Sequence, residues 1–342
     1  MPISGRFSKL ASACLLALPI PAMFAQEAPP LKSPVPIDFS YAGYEAGNAV
    51  PWVKAVLTVR PSGGDDTALL QGAIDRVASM PLGQDGFRGA LLLSPGRYHV
   101  KGQLNLSASG VVLRGAGASR TVIVAEGIDR RPLISVGAAK DVSLDSGLQV
   151  QQDAPAGART LRLASVVGLH VGDHVVVRRP STKEWNTAMS MTGLPGTFAD
   201  QRLDWRPGAH DLVWDRVLTG VDAQANSVEL DAPITTALES QYGGGTLARV
   251  TGNAPPENIG IEDLILDSSY DNSRPKDEDH SWIAILMDHV EDAWVRNVTA
   301  RHFVSSAVRI NLRGRRITVE NCRSEAPVSE EGGYRRQSFL LY

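Results

Sequence analysis

An all-β solenoid is the fold this 342-residue sequence predicts, and three observations predict it. Glycine (32) and proline (21) are frequent enough to punctuate the chain with tight turns, which suits short strands better than a helical bundle. Between Gly89 and Val124 the apolar runs separated by those turns are only three to five residues long. Further on, Asn258–Leu264, Asp292–Val298 and Arg316–Cys322 share one frame, with alternate apolar residues and an Asp or Asn next to last. Asp263 and Asn297 lie 34 residues apart, and Asn297 and Asn321 lie 24 apart. A repeat of this kind, with a polar residue at a fixed turn position, marks units that bury their apolar side only against their neighbours. Two face-to-face antiparallel layers with accidental likeness are the competing arrangement.

The elements follow in chain order. Arg6 and Lys9 precede an apolar run from Leu10 to Phe24, broken by Pro19 and Pro21 and followed by Ala25–Gln26. This is the pattern of a secretory signal over residues 1–25, so an exported protein, periplasmic or extracellular, is expected. No later stretch approaches the roughly 20 apolar residues of a membrane span. Residues 26–55 read as an N-terminal arm. Asp65-Asp66-Thr67 then caps a helix over residues 66–79, whose Leu70, Ala73, Ile74 and Val77 fall on one face. Short strands begin at Gly89, Tyr98, Gln103, Val111 and Thr121, so residues 56–145 read as a cap and first coils. Residues 146–251 lack the coil pattern. Their strands, near 160–163, 172–177 and 227–231, predict a small antiparallel module inserted into the solenoid. The repeat resumes over 252–342. The apolar run Ser338–Tyr342 ends the chain without a cap, so the coils are expected to continue in a longer protein.

Composition removes other classes. With 34 basic and 37 acidic side chains the net charge is −3, and 43% of residues are hydrophobic, which excludes disorder and argues against a nucleic-acid partner. The two cysteines, Cys14 and Cys322, give no disulfide framework, and Cys322 alternates with Val319 and Asn321 as a small core residue would.

Asp65-Asp66-Thr67 with Ala73-Ile74, then Leu92–Tyr98, then Gly110–Gly117, resemble the amino-terminal cap and first coil of the right-handed parallel β-helix proteins of the pectate-lyase-like superfamily. The resemblance covers about residues 56–145 and again 252–342. It implies the fold directly. The family contains polysaccharide lyases, glycoside hydrolases and phage tailspikes, so it implies carbohydrate chemistry only in outline.

In such a solenoid equivalent residues of successive coils stack roughly 4.8 Å apart, and groups distant in sequence become neighbours. The 34-residue spacing exceeds the other by ten, and the surplus falls at Asp271–His280, a charged loop extruded beside the groove. Arg301-His302 follows the next strand, in register with Glu325-Ala326. The last turn combines Glu330, Glu331, Tyr334, Arg335 and Arg336 around Gly332-Gly333. Cleaving a uronate polysaccharide by β-elimination needs its carboxylate neutralised, a base for the α proton and an acid for the leaving oxygen. Arg335 and Arg336 are assigned the first role, His302 or His280 the second, and Tyr334 the third. Lys276, Arg301, Glu330, Trp205 and Trp282 are assigned to substrate contact. No cofactor is required, although Asp277, Glu278 and Asp279 are oxygen donors that suit Ca²⁺. The alternatives are a glycoside hydrolase, with carboxylates among Asp277, Asp279, Asp288 and Glu330, and a non-catalytic glycan-binding or adhesive β-helix. The partner expected is an acidic polysaccharide and the protein itself is expected to be a monomer.

Overall fold

In the computed structural model the described residues are 42–138, 143–194, 196–198, 201–202, 204–252, 254–311 and 313–342. The expected signal at 1–25 and Cys14 lie outside them. Among the described residues no helix is long and apolar enough to cross a membrane.

The strands wind into a three-sided parallel β-helix. Sheet 1 stacks Ala55–Val59, Gly89–Leu93, Val111–Gly115, the first halves of Glu257–Ser268 and Val290–Arg301, and Gly314–Glu320. Sheet 2 stacks Gly96–Val100, Thr121–Ala125, the second halves of the same two long strands, and Arg323–Glu325. Sheet 3 stacks Leu104–Leu106, Pro132–Gly137, Ile283–Asp288, Ser306–Ile310 and Phe339–Leu341. Every one of these pairs is parallel, and the coil takes the right hand that parallel crossovers adopt. The two-layer antiparallel alternative is thereby replaced by the arrangement the repeat predicts.

The register is the spacing read from the sequence. Glu257 pairs with Glu291 and Glu291 with Arg315, offsets of 34 and 24. Leu91, Leu113, Ile261 and Val295 form one inward column across four coils, and all four are fully buried. Each such side chain contributes on the order of 1.5–3 kcal/mol of burial, but only while the coils above and below are in place.

The helix at Thr67–Ala78 covers the first coil with Leu70, Ala73, Ile74 and Val77. Its cap differs from expectation in one detail. Asp65 accepts from the Thr67 amide (3.0 Å) and hydroxyl (2.6 Å), whereas Asp66 accepts from the amides of Ser62 (2.8 Å) and His99 (3.1 Å) and ties the helix to the solenoid. Residues 42–54 cover the outer face of sheet 1, where Tyr44 and Val53 pack with Trp294. Beneath them the buried carboxylate of Glu262 accepts from Trp294 Nε1 (3.1 Å), Arg296 Nε (3.0 Å) and Arg114.

After Gly137 the chain leaves the solenoid and builds a seven-stranded antiparallel sheet from Ser143 to Thr251, returning at Glu257. Its own core contains Leu161, Val177, Trp214, Leu218 and Leu230.

The corners between sheets carry the side chains that matter outside. Asp263, Asn297 and Asn321 turn the chain from sheet 1 to sheet 2 with φ of 59°, 54° and 52°. Asn297 Nδ2 donates to Asp263 Oδ1 at 2.8 Å, which links two coils at the bend. Asn and Asp tolerate the left-handed region better than other L-residues, which explains why they occupy this position. Replacing Asn297 with Ala removes that bond and leaves an unfavourable φ. Asn297→Ala is expected to lower unfolding stability by about 2 kcal/mol, and Asn297→Gly by less, both measurable by denaturant titration.

Candidate functional site

Sheet 3 has two unlike edges, because each of its strands enters from one corner and leaves by another. The segments entering it, 269–282, 302–305 and 326–338, hold nearly all the residues singled out in the sequence. The segments leaving it, the inserted module, His289, Asn311 and Arg313, form the opposite edge. A six-residue strand separates the two by about 20 Å.

On the entering edge the charges answer one another. Glu278 takes Arg335 in a two-pronged contact, with Nη2 at 2.8 Å, and that bond holds the Glu278 carboxyl below its ordinary value. Lys276 Nζ donates to Glu330 at 2.7 Å. Arg336 donates to the Ser329 carbonyl (2.6 Å) and to Glu331 (3.3 Å). Arg301 Nε donates to Glu325 at 3.0 Å. Trp282 lies under two guanidiniums, Arg130 at 5.3 Å and Arg335 at 5.5 Å, and donates Nε1–H to the Glu278 carbonyl. The Tyr334 ring is 60% exposed.

The acidic trio does not converge. Asp277 pairs with Arg274 at 2.6 Å, Asp279 with Arg274 and Arg130 at 3.1 and 3.3 Å, and Glu278 with Arg335. Among the described residues no group of three His, Cys, Asp or Glu side chains is arranged to hold a metal ion. The three oxygen donors that suit Ca²⁺, Asp277, Glu278 and Asp279, thus share no centre, because each is paired with an arginine.

The two histidines differ. His280 is fully buried, with Nδ1 on Ser268 Oγ (2.9 Å) and Nε2 donating to the carbonyls of Asp277 (3.1 Å) and Val328 (3.2 Å). Burial depresses its pKa, so the ring is a neutral brace without a free nitrogen. His302 occupies a left-handed corner, φ 64°, and remains part-exposed. Its Nδ1 meets Asp267 Oδ1 at 2.8 Å, so Asp267 orients the ring while Glu325 holds Arg301, and Tyr270 lies 5.3 Å from its ring. Trp205 belongs to the module, where it leans on Trp185 (5.8 Å) and His210 (4.3 Å).

The leaving edge holds a cleft of about 960 Å³ between sheet 3 and the module. Asn105, Ser135 and Gly137 form its floor, Asp215, Arg216 and His174 face it from the module, and His289, Glu291, Arg313 and Arg315 come from the corner. Arg315 bonds both Asp231 of the module and Glu291 of the solenoid (3.0 Å), clamping the two walls together. Glu291 is buried and also takes Arg316 at 2.6 Å. The Arg216 guanidinium is spent on three carbonyls, Ala232 (2.9 Å), Asp215 (2.7 Å) and Pro233 (2.5 Å).

Asp215 is the exception. Among the described residues nothing hydrogen-bonds or ion-pairs its carboxyl, and burial raises its pKa against the opposing pull of Arg313, Arg315, Arg216 and His289. Its proton is thus favoured by burial in a cleft that also holds arginines. His289 completes the set. Its Nδ1 meets Asp288 Oδ1 at 2.8 Å and its Nε2 accepts from Arg313 at 3.3 Å.

Sequence reasoning named Asp288 and passed over His289, Arg313 and Asp215. One signal was present: His289 and Arg313 are 24 residues apart, the same interval that separates Asn297 from Asn321. Asp215 offered none, since the module follows no coil period.

A scan against protein-family models finds no match, and no curated protein is similar in sequence. Solved structures with partial likeness include the tailspikes of Pseudomonas phage phi297 and Pseudomonas phage LKA1. The first is 16% identical over 75% of this chain and 38% of its own, with a TM-score of 0.44. The second is 16% identical over 76% and 39%, with a TM-score of 0.45. The surface adhesin PfbA of Streptococcus pneumoniae is 14% identical over 81% and 40%, with a TM-score of 0.39. The chain thus spans about two fifths of the length of these proteins.

The raised Asp215 pKa has a signed consequence for stability. The folded state holds this proton more tightly than the unfolded chain does, so ionising Asp215 costs stability above its folded pKa, and the cost vanishes below its unfolded one. Asp215→Asn is expected to raise the melting temperature at pH 8, with the gap closing as pH falls through the folded pKa. Calorimetry across pH 4–8 checks this.

Proposed function

We propose that this chain is an exported carbohydrate-active enzyme that cleaves an acidic, uronate-containing polysaccharide by β-elimination, working in the cleft between sheet 3 and the module. The observation that carries the reading is Asp215, a carboxyl that has no side-chain partner among the described residues and whose proton is favoured by burial, standing among arginines. A cleft that opens along the outer face of a β-helix suits an extended polymer, and cations on its wall suit a carboxylate.

In this reading the uronate carboxylate lies against Arg313, which offsets the enolate-like charge that builds as the α proton leaves. A cleft histidine, His174 or His289, takes that proton. The electron pair forms the carbon–carbon double bond as the bond to the glycosidic oxygen breaks, and Asp215 donates its proton to that oxygen. The hydrogen bond between His302 and Asp267 supports a second reading, in which the same reaction runs at the entering edge with His302 as base, Tyr334 as acid and the arginine pair 335–336 on the substrate. A hydrolase or a glycan-binding solenoid would share the cleft but not the product.

Incubation with pectin, alginate, glucuronan and glycosaminoglycans is expected to yield an unsaturated uronate seen by its ultraviolet absorbance. Asp215→Asn and Arg313→Ala are each expected to reduce its formation about 10²- to 10⁴-fold, and His302→Ala to leave it nearly unchanged. Loss with His302→Ala alone would move the reaction to the other edge. New reducing ends without absorbance would make it a hydrolase, and binding without either product a lectin-like solenoid.

A further inference from the structure

We propose that His289 is the proton acceptor of the cleft and that Asp288 and Asn311, which do not line the cleft, are its positioning residues. The proposal rests on the β-elimination reading and adds to it the group that takes the α proton.

The argument is one of hydrogen-bond direction. Four bonds run in a line across two coils: Arg309 Nε to Asn311 Oδ1 at 2.9 Å, Asn311 Nδ2 to Asp288 Oδ2 at 3.2 Å, Asp288 Oδ1 to His289 Nδ1 at 2.8 Å, and His289 Nε2 to Arg313 Nη1 at 3.3 Å. Both ends are guanidiniums, which donate and never accept. Arg309 therefore requires the Asn311 oxygen to face it and turns the Asn311 amide nitrogen toward Asp288. Arg313 requires a lone pair on His289 Nε2, so the ring proton sits on Nδ1 and points at Asp288. The carboxylate accepts from both sides, so every bond in the line has a matching donor and acceptor in one assignment only. A neutral imidazole with its basic nitrogen turned to Arg313, another residue of the cleft lining, is the result.

The coil geometry builds this line. Met287 pairs with Ile310, and Val290 with Gly314, so Asp288 lies beside Asn311 and His289 beside Arg313. His289 and Arg313 both turn through the left-handed region, φ 47° and 68°. Gly137 lies beneath, where a Cβ would collide with the Asp288 carbonyl, so the coil below passes close under the corner. His174 has no comparable arrangement. Its nearest carboxylate, Glu291, is 3.9 Å away and already holds Arg315 and Arg316.

Arg313 also links binding to the availability of the Nε2 lone pair. When a substrate carboxylate takes its guanidinium, the Nε2 lone pair is released to accept the α proton. The imidazolium so formed is held by Asp288, while the electron pair enters the new double bond and Asp215 protonates the departing oxygen. Asp288 thus acts through the ring and not on the substrate.

Asp288→Asn creates a conflict that cannot be resolved locally. The new amide must present its NH₂ either to Asn311, which is locked as a donor by Arg309, or to His289 Nδ1, which moves the ring proton to Nε2 against Arg313. In ¹⁵N spectra of the histidine-labelled protein, wild-type His289 is expected to be the Nδ1-protonated neutral tautomer, and Asp288→Asn to show a mixture with the Nε2-protonated form. The turnover number should fall about 10²- to 10⁴-fold, with KM changed less than about threefold. Asp288→Asn/Asn311→Asp restores a consistent line of donors and should recover the tautomer and part of the turnover, which a merely structural role would not. An Nε2-protonated wild-type ring, or Asp288→Asn with full turnover, overturns the proposal. The expected tautomers without any unsaturated product would overturn the β-elimination reading and the acceptor role while upholding the positioning of the ring by Asp288.

Discussion

Coil-on-coil stacking is the constraint on which the rest of this structure depends. No coil can bury Leu91, Leu113, Ile261 or Val295 by itself, so the strands must lie in register over their neighbours for any of them to be dry. Register in turn forces the bends into columns. A bend column is a line of side chains that point outward from a backbone already committed, and polar groups there answer to the coil above and below. Asp263 and Asn297 use that proximity for a structural bond, and His289 and Arg313 use it in the cleft.

The same stacking explains why two chemically rich edges behave so differently. On the entering edge long loops are free to fold onto each other, and their charges neutralise one another: Lys276 with Glu330, Glu278 with Arg335, and Arg274 with three aspartates. Such pairs are largely solvent-screened and contribute little to stability. Arg274 knits its own loop together, while Lys276–Glu330 and Glu278–Arg335 join that loop to the last turn, past the coil between them. On the leaving edge the module brings a second wall against the solenoid, and the side chains between them are partly buried. Desolvation there raises the Asp215 pKa and lowers that of Arg216. A cluster of ionisable residues in the sequence is therefore a poor guide to reactive groups. Asp215, the group proposed as reactive, is partly buried and has no side-chain partner among the described residues, whereas Glu278 is paired with Arg335.

Much of the fold was legible because its cause is local and periodic. The strand at Gly89–Leu93, the capping helix and the offsets of 34 and 24 all appear as predicted, since alternation and spacing are properties of the chain itself. The recurring Asp or Asn next to last in the frame was legible too, because a left-handed bend selects those residues. The cap shows the limit of such reading. Asp65 and Asp66 look equivalent in sequence, yet one caps the helix and the other reaches the His99 amide in a different coil.

The sequence by itself determined that this chain is a parallel solenoid with an antiparallel insertion, and which residues share a column. Only the tertiary structure decided which side chains are paired and which are left with unspent chemistry. His302 and His280 were indistinguishable as letters, but one is walled in by two carbonyls and the other stands at a corner beside Asp267. Asp215 and Arg313 are 98 positions apart with no period relating them. They meet because a non-repeating module folds back over a repeating one, and the burial that raises the Asp215 pKa belongs to neither segment alone.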